Sequence, residues 1–149
     1  MNPSSTRLFF HSDATALRFD SGQNVTLPIG PVGLARNALR HDPPTPAELE
    51  NAIDIVEDAL TRSRLAQGER GELVTTDPVL LALPGLDAPG ACLTRDEVES
   101  LFDRLASRAL GKAVPASESP HGRETAAAII ILRECMHHLG FDRIRKDAA

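Results

Sequence analysis

A chain of 149 residues, 42% hydrophobic and 25% charged, is one domain's worth and can bury a sizeable core. A net charge of −5, five Phe, no Tyr and no Trp leave neither a basic stripe for a phosphate backbone nor an aromatic platform for stacked bases, so no nucleic-acid partner is expected. The longest unbroken apolar run, residues 126–132, is too short to cross a bilayer, and no membrane partner is expected.

The N-terminal "MNPSSTRLFF" lacks a basic segment followed by an apolar one, so no secretory signal is read. Two cysteines, Cys92 and Cys135, make neither a disulfide framework nor a zinc ribbon. Reduced thiols in a cytoplasmic protein are the expectation.

The first thirty residues read as strands. "RLFFHS" is a short apolar run. "ATALRFD" alternates, with Ala14, Ala16 and Arg18 on one side and Thr15, Leu17 and Phe19 on the other. "DSGQN" is a turn around Gly22, and "VTLPIG" is a third strand whose Pro28 points to an edge or a bulge. A short helical patch over 32–39 is stopped by "HDPPTP". Thr45 then opens the clearest helix: it suits the N-cap, Pro46 suits N1, and Glu48 at N3 completes a capping box. Leu49, Ala52, Ile53, Val56 and Leu60 define its buried face. Glu50, Asp54, Glu57 and Asp58 fall largely on the other side and read as a solvated face.

"ELVTT" reads as a buried strand, Asp77-Pro78 as the start of a short helix through Leu83, and "LPGLDAPG" as a loop. Thr94 and Glu97 form a second capping box ahead of Val98, Leu101, Phe102 and Leu105. "GKAVPASESPHG" is a second loop. The last helix, 123–139, is apolar on nearly every face, as a helix sandwiched between layers would be, and Gly140 ends it. "FDRIRK" is a final strand. Strands, helices, strand, helices and strand in this order imply a mixed sheet with helices packed on it.

Several strings resemble, in the same order, the second domain of the exopolyphosphatase/guanosine pentaphosphate phosphohydrolase (Ppx/GppA) family. That family carries a "DIGGGSTEL" strand-loop, a "SLPLGAVRLTE" segment and a helix opened by "PPTPEELE". Here "FFHSDATAL", "TLPIGPVGLAR" and "PPTPAELENAI" stand in those places. Further on, "ELVTTDPVLLA", "LTRDEVESLFDRLAS" and "GRETAAAIIILRECMHHLGFDRIRK" resemble its later strand and helices, so the likeness runs over residues 8–146. It implies an α/β fold: one ribonuclease H-like (actin-like ATPase) domain over 1–149, with a mixed sheet, an N-terminal antiparallel three-strand run and packed helices.

The departures bear on function. Glycines let backbone N–H groups approach a phosphate where a Cβ would intrude. On this alignment Phe9 replaces the family's acidic residue, His11, Ser12 and Asp13 replace its three glycines, and Ala14 replaces its serine. His11, Ser12, Asp13, Ala14 and Thr15 therefore read as a degenerate phosphate loop. Gly33 stands where the family has an arginine, and Arg36, one turn on, is the candidate residual anion contact. Thr75, Thr76 and Asp77 occupy a second glycine element. The family holds substrate and metal between two domains, and this length has no room for the first. The chain reaches "KDAA" about where the family's "GLREG" would begin.

Two local alternatives are weighed. His11, Ser12 and Asp13 have the residue types of a hydrolytic triad, yet sequence neighbours on a strand do not converge, so a polar strand end entering a turn is expected. Cys135 and His138 share a helix face beside His137, but a structural zinc site needs four ligands and no second Cys or His cluster is present. No metal site is expected: these are a buried thiol and two histidines at a helix C-terminus, where cations are favoured.

The expectation is thus a non-catalytic binding or regulatory module without cofactor, acting through protein–protein contacts as a homodimer or with a protein partner. The alternative is a phosphohydrolase or phosphate- or nucleotide-binding protein, its site rebuilt between protomers from His11, Asp13 or Arg36 and dependent on Mg2+. A structural subunit of a larger complex is the third reading.

Overall fold

Alternation in the first thirty residues builds the first half of the sheet. The computed structural model describes residues 4–65, 68–114 and 122–147. In it β1 (Ser5–Phe10), β2 (Thr15–Arg18) and β3 (Asn24–Leu27) pair antiparallel in chain order. Leu8 lies opposite Leu17 and both are fully buried, while Arg7 and Arg18, also opposed, face solvent. The period-two prediction for β2 therefore holds, with Thr15 and Leu17 inside. β3 is an edge strand, and Pro28 falls just past its end, where a missing N–H breaks no ladder.

Two crossovers complete the sheet. α1 (Pro31–Ala38) and α2 (Pro46–Ser63) lead to β4 (Gly71–Thr75), parallel to β1. Then α3 (Pro78–Leu81), β5 (Cys92–Thr94), α4 (Arg95–Ala109) and α5 (Arg123–Leu139) lead to β6 (Phe141–Lys146), parallel to β4 and antiparallel to β5. The strand order is β3-β2-β1-β4-β6-β5. Helical crossovers between parallel neighbours and a tight antiparallel run at one side give the mixed α/β, ribonuclease H-like sheet that was expected.

Both capping boxes form. Thr45 Oγ1 accepts from Glu48 N–H at 3.2 Å while Thr45 N–H donates to Glu48 Oε1 at 2.9 Å, and Thr94 and Glu97 repeat the pattern. The short helix after Pro78 stops at Leu81 rather than Leu83. β5 falls between the loop expected over 83–90 and the cap expected at Thr94, a stretch given no element from the sequence; three residues are too few to show a period. Of the loop expected over 111–122, residues 115–121 lie outside the described residues, as do the last two of "KDAA".

α5 is the centre of the helical layer, packed by α1, α2 and α4, and residues 126–132 are all buried. Each buried Ile or Leu there stabilises by roughly 1.5–3 kcal/mol through its apolar area. Leu8, Leu17, Leu73 and Ile144 join the helices in one core from one face of the sheet. The opposite face is ionic: Glu72, 8% exposed, accepts from Arg145 at 2.9 Å and pairs with Arg143 at 3.5 Å, and Arg7 pairs with Asp147. Among the described residues no helix is long and apolar enough to cross a membrane.

Candidate functional site

The stretch His11–Thr15, expected to be a degenerate phosphate loop, forms the turn that joins β1 to β2. His11 N–H donates to Ala14 O at 2.8 Å and closes it. The side chains of His11, Ser12 and Asp13 are exposed, and no hydrogen bond joins any two of them, so the structure brings no triad together. Thr15 turns inward and donates to Ile29 O at 2.7 Å, tying the turn to the segment before α1.

The turn sits on the N-terminus of α1, where unsatisfied N–H groups form a ready anion site. Here the chain fills that site itself. Ser12 O accepts from Gly33 N–H at 3.0 Å, and the Asp13 carboxylate lies over Gly33. Gly30 makes this seat possible, since a Cβ there would meet backbone atoms of His11, Ser12 and Ala14; a Cβ on Gly33 would run only into the Asp13 carboxylate, the end of an exposed side chain. Arg36 reaches Asp13 Oδ1 at 3.3 Å, so the expected residual anion contact is spent on the protein's own carboxylate. The depression beside the turn, bordered by Asp13, Ile29, Gly33 and Asn37, holds about 160 Å3, less than the ~300–1,000 Å3 usual for small-molecule sites.

Thr75, Thr76 and Asp77, aligned in the sequence with a second glycine element, are likewise mostly committed to structure. Thr75 Oγ1 donates to Leu8 O at 2.8 Å and accepts from Asp77 N–H at 3.0 Å. Asp77, 6% exposed, caps α3 by accepting from Val79 N–H at 2.9 Å and accepts Phe10 N–H at 2.9 Å on its other oxygen. Thr76 points to solvent. The carboxyl ends of β1 and β4 are thus locked to each other beside the filled turn, at the place where open α/β sheets take ligands.

Arg36 has a second neighbourhood. With Val32, Arg123 and Thr125 it lines an open groove of about 520 Å3 between α1 and the start of α5, which Glu124 also borders.

Around the C-terminus of α5 the three residues weighed as ligands part company. Cys135 is fully buried, and burial pushes its thiol up to about 12. His137 is exposed. His138 faces two carboxylates, Glu57 of α2 and Glu134 of α5, which the sequence reading did not single out as a pair. Burial raises the Glu134 carboxyl above its ordinary range, against the pull of Arg133 and with help from Glu57. One signal was present in the sequence. Glu57 is four residues after Ile53 and three before Leu60, on the flank of the buried face and not opposite it.

Fold and geometry together define an α/β domain of the ribonuclease H-like class whose β1–β2 turn is seated on the N-terminus of α1. The comparisons agree on the fold. The chain is similar to a solved structure of the Aquifex aeolicus PPX-GPPA enzyme, with 20% identity, a TM-score of 0.74, and coverage of 99% of this chain and 54% of that one. A structure of the Aquifex aeolicus member of the Ppx/GppA family gives 18% identity and a TM-score of 0.73 over 99% and 53% of the two chains. An exopolyphosphatase-like protein gives 12% and 0.69 over 99% and 55%. The chain therefore has the fold of about half of each of these proteins and spans about half their length. No family model matches the sequence, and no curated protein matches it.

Proposed function

We propose that this domain is non-catalytic and serves as a binding or regulatory module that works through protein–protein contacts. The observation that supports this reading is the occupied turn: Ser12 O takes the Gly33 N–H at the start of α1, and the Asp13 carboxylate lies in the space beside it that a phosphate would need. A carboxylate there repels a phosphate, and Arg36 offsets Asp13 instead of a ligand. Among the described residues Leu110 is the one large hydrophobic side chain exposed, so a partner, whether a second copy or another protein, would be held mainly by polar and charged groups.

A hydrolysis assay with polyphosphate, guanosine pentaphosphate and ATP, each with Mg2+, tests the proposal. Phosphate release no faster than in buffer is expected. Turnover that is lost in Asp13→Ala or Arg36→Ala would overturn it and favour the rebuilt site. The groove shared by Arg36 and Arg123 favours a second reading, in which phosphate is bound without being cleaved. Calorimetry with polyphosphate separates the two: binding that disappears in Arg123→Ala supports the second reading, and no heat at millimolar ligand removes it.

A further inference from the structure

We propose that Glu57, Glu134 and His138 form a binding site for a divalent transition-metal ion, Zn2+ foremost, between α2 and α5. Glu134 and His138 are four residues apart on one face of α5, and Glu57 meets them from α2. His138 Nε2 lies 3.6 Å from Glu57 Oε1 and 3.9 Å from Glu134 Oε1, and one ligand atom from each of the three lies within 4.8 Å of the others. Those separations exceed hydrogen-bonding distance. The two distances to His138 are within about half an ångström of the roughly 3.4 Å that separates ligands around a tetrahedral ion with bonds of about 2.0–2.2 Å, and a side-chain adjustment on the order of 1 Å would bring all three ligand atoms into one shell.

Two further observations favour an ion. His138 Nε2 is a buried atom with no hydrogen-bond partner, and such an atom is costly to leave unpaired. Glu134 is 3% exposed and held from behind: Arg133 Nη1 donates to its Oε2 at 3.2 Å, which leaves Oε1 turned to His138. Arg133 is itself fixed by Glu99, with bonds of 2.7 and 3.0 Å. Carboxylates that ligate a metal are themselves held by outer hydrogen bonds, as Arg133 holds Glu134 here.

The donor set selects the metal. Mg2+ and Ca2+ favour shells of oxygen, whereas an imidazole nitrogen with two carboxylates suits Zn2+ and its neighbours. Three protein ligands leave one position for water or a partner's side chain. The side chains of Glu57 and His138 are 43% and 30% exposed, which gives the ion a way in. Cys135 faces the core and takes no part.

Calorimetric titration of the full chain with Zn2+, and separately with Mg2+, tests the site. One Zn2+ per chain is expected, with Mg2+ at least tenfold weaker. His138→Ala and Glu57→Gln, both at partly exposed positions, should each weaken Zn2+ about tenfold or more, while His137→Ala leaves it unchanged. Zn2+ should also raise the unfolding midpoint of the wild type but not of His138→Ala. Absence of stoichiometric Zn2+ binding, or equal binding by wild type and His138→Ala, overturns the proposal.

Discussion

Replacing Asp77 with alanine removes two acceptors at once from a carboxylate that is 6% exposed. One oxygen caps α3 through Val79 N–H, and loss of an N-cap costs about 1 kcal/mol. The other takes Phe10 N–H at the end of β1, and a donor left unpaired in a largely buried place costs about 1–3 kcal/mol. Together these give a loss of about 2–4 kcal/mol for Asp77→Ala, since the two bonds satisfy different elements. Chemical denaturation reads this as a lower midpoint at unchanged slope. For a domain of this size the thermal midpoint falls by roughly 5–15 °C. Asp77→Asn keeps one acceptor oxygen but turns an amide donor toward the other N–H, so its loss should be intermediate. If Asp77→Ala costs less than about 1 kcal/mol, the carboxylate does not join β1 to β4, and the account of the second glycine element fails.

Gly30→Ala should destabilise by about 1–3 kcal/mol in the same denaturation assay, because the new methyl meets backbone atoms that no rotamer change can move aside; an unchanged midpoint would show that the turn is not seated on α1. Asp13→Ala and Arg36→Ala should each shift stability by less than about 0.5 kcal/mol, since their ion pair lies in solvent with both side chains more than 60% exposed; a loss above 2 kcal/mol in either would contradict that. The Glu48 carboxyl is held at about 2, by the Thr45 N–H first and then by Arg40 N–H and His41. Its contribution is therefore full above pH 4.5 and is lost as pH falls through about 2. Glu48→Gln should flatten that acid limb, and parallel limbs for the two proteins would refute the assignment. Burial holds the Cys135 thiol up at about 12, so an alkylating reagent at pH 8 should label the half-buried Cys92 first and Cys135 only on unfolding, as read by mass spectrometry.

What was legible in the sequence was local. Thr45, Pro46 and Glu48 sit within four residues, and a capping box is decided by that spacing alone. The burial of α5 on nearly every side was legible because seven successive apolar residues leave no polar stripe to face water. The collinear strings carried the fold, and the structures of similar fold agree over 99% of the chain. The site was legible as a set of replaced glycines, but not as an occupied seat. That Ser12 O and Asp13 would settle on Gly33 depends on how closely α1 approaches the turn, which no spacing within 11–15 reveals. The pairing of Glu57 with Glu134 and His138 is the harder case, because it joins residues 77 and 81 positions apart. From sequence each belonged to a different argument: a solvated acidic face, an apolar helix, a cationic helix end.

The position of β6 has a consequence for how the molecule is made. The last strand in the chain is not at an edge but lies between β4 and the three-residue β5. Until residues 141–147 are available to pair, β4 offers an open row of N–H and C=O groups along "GELVT", and α5 lacks Phe141 and Ile144 beneath it. Such an edge is a template for pairing with another chain. The sheet is completed only by β6, the last of its six strands to be made, so the domain is most exposed to pairing with another chain until β6 is in place.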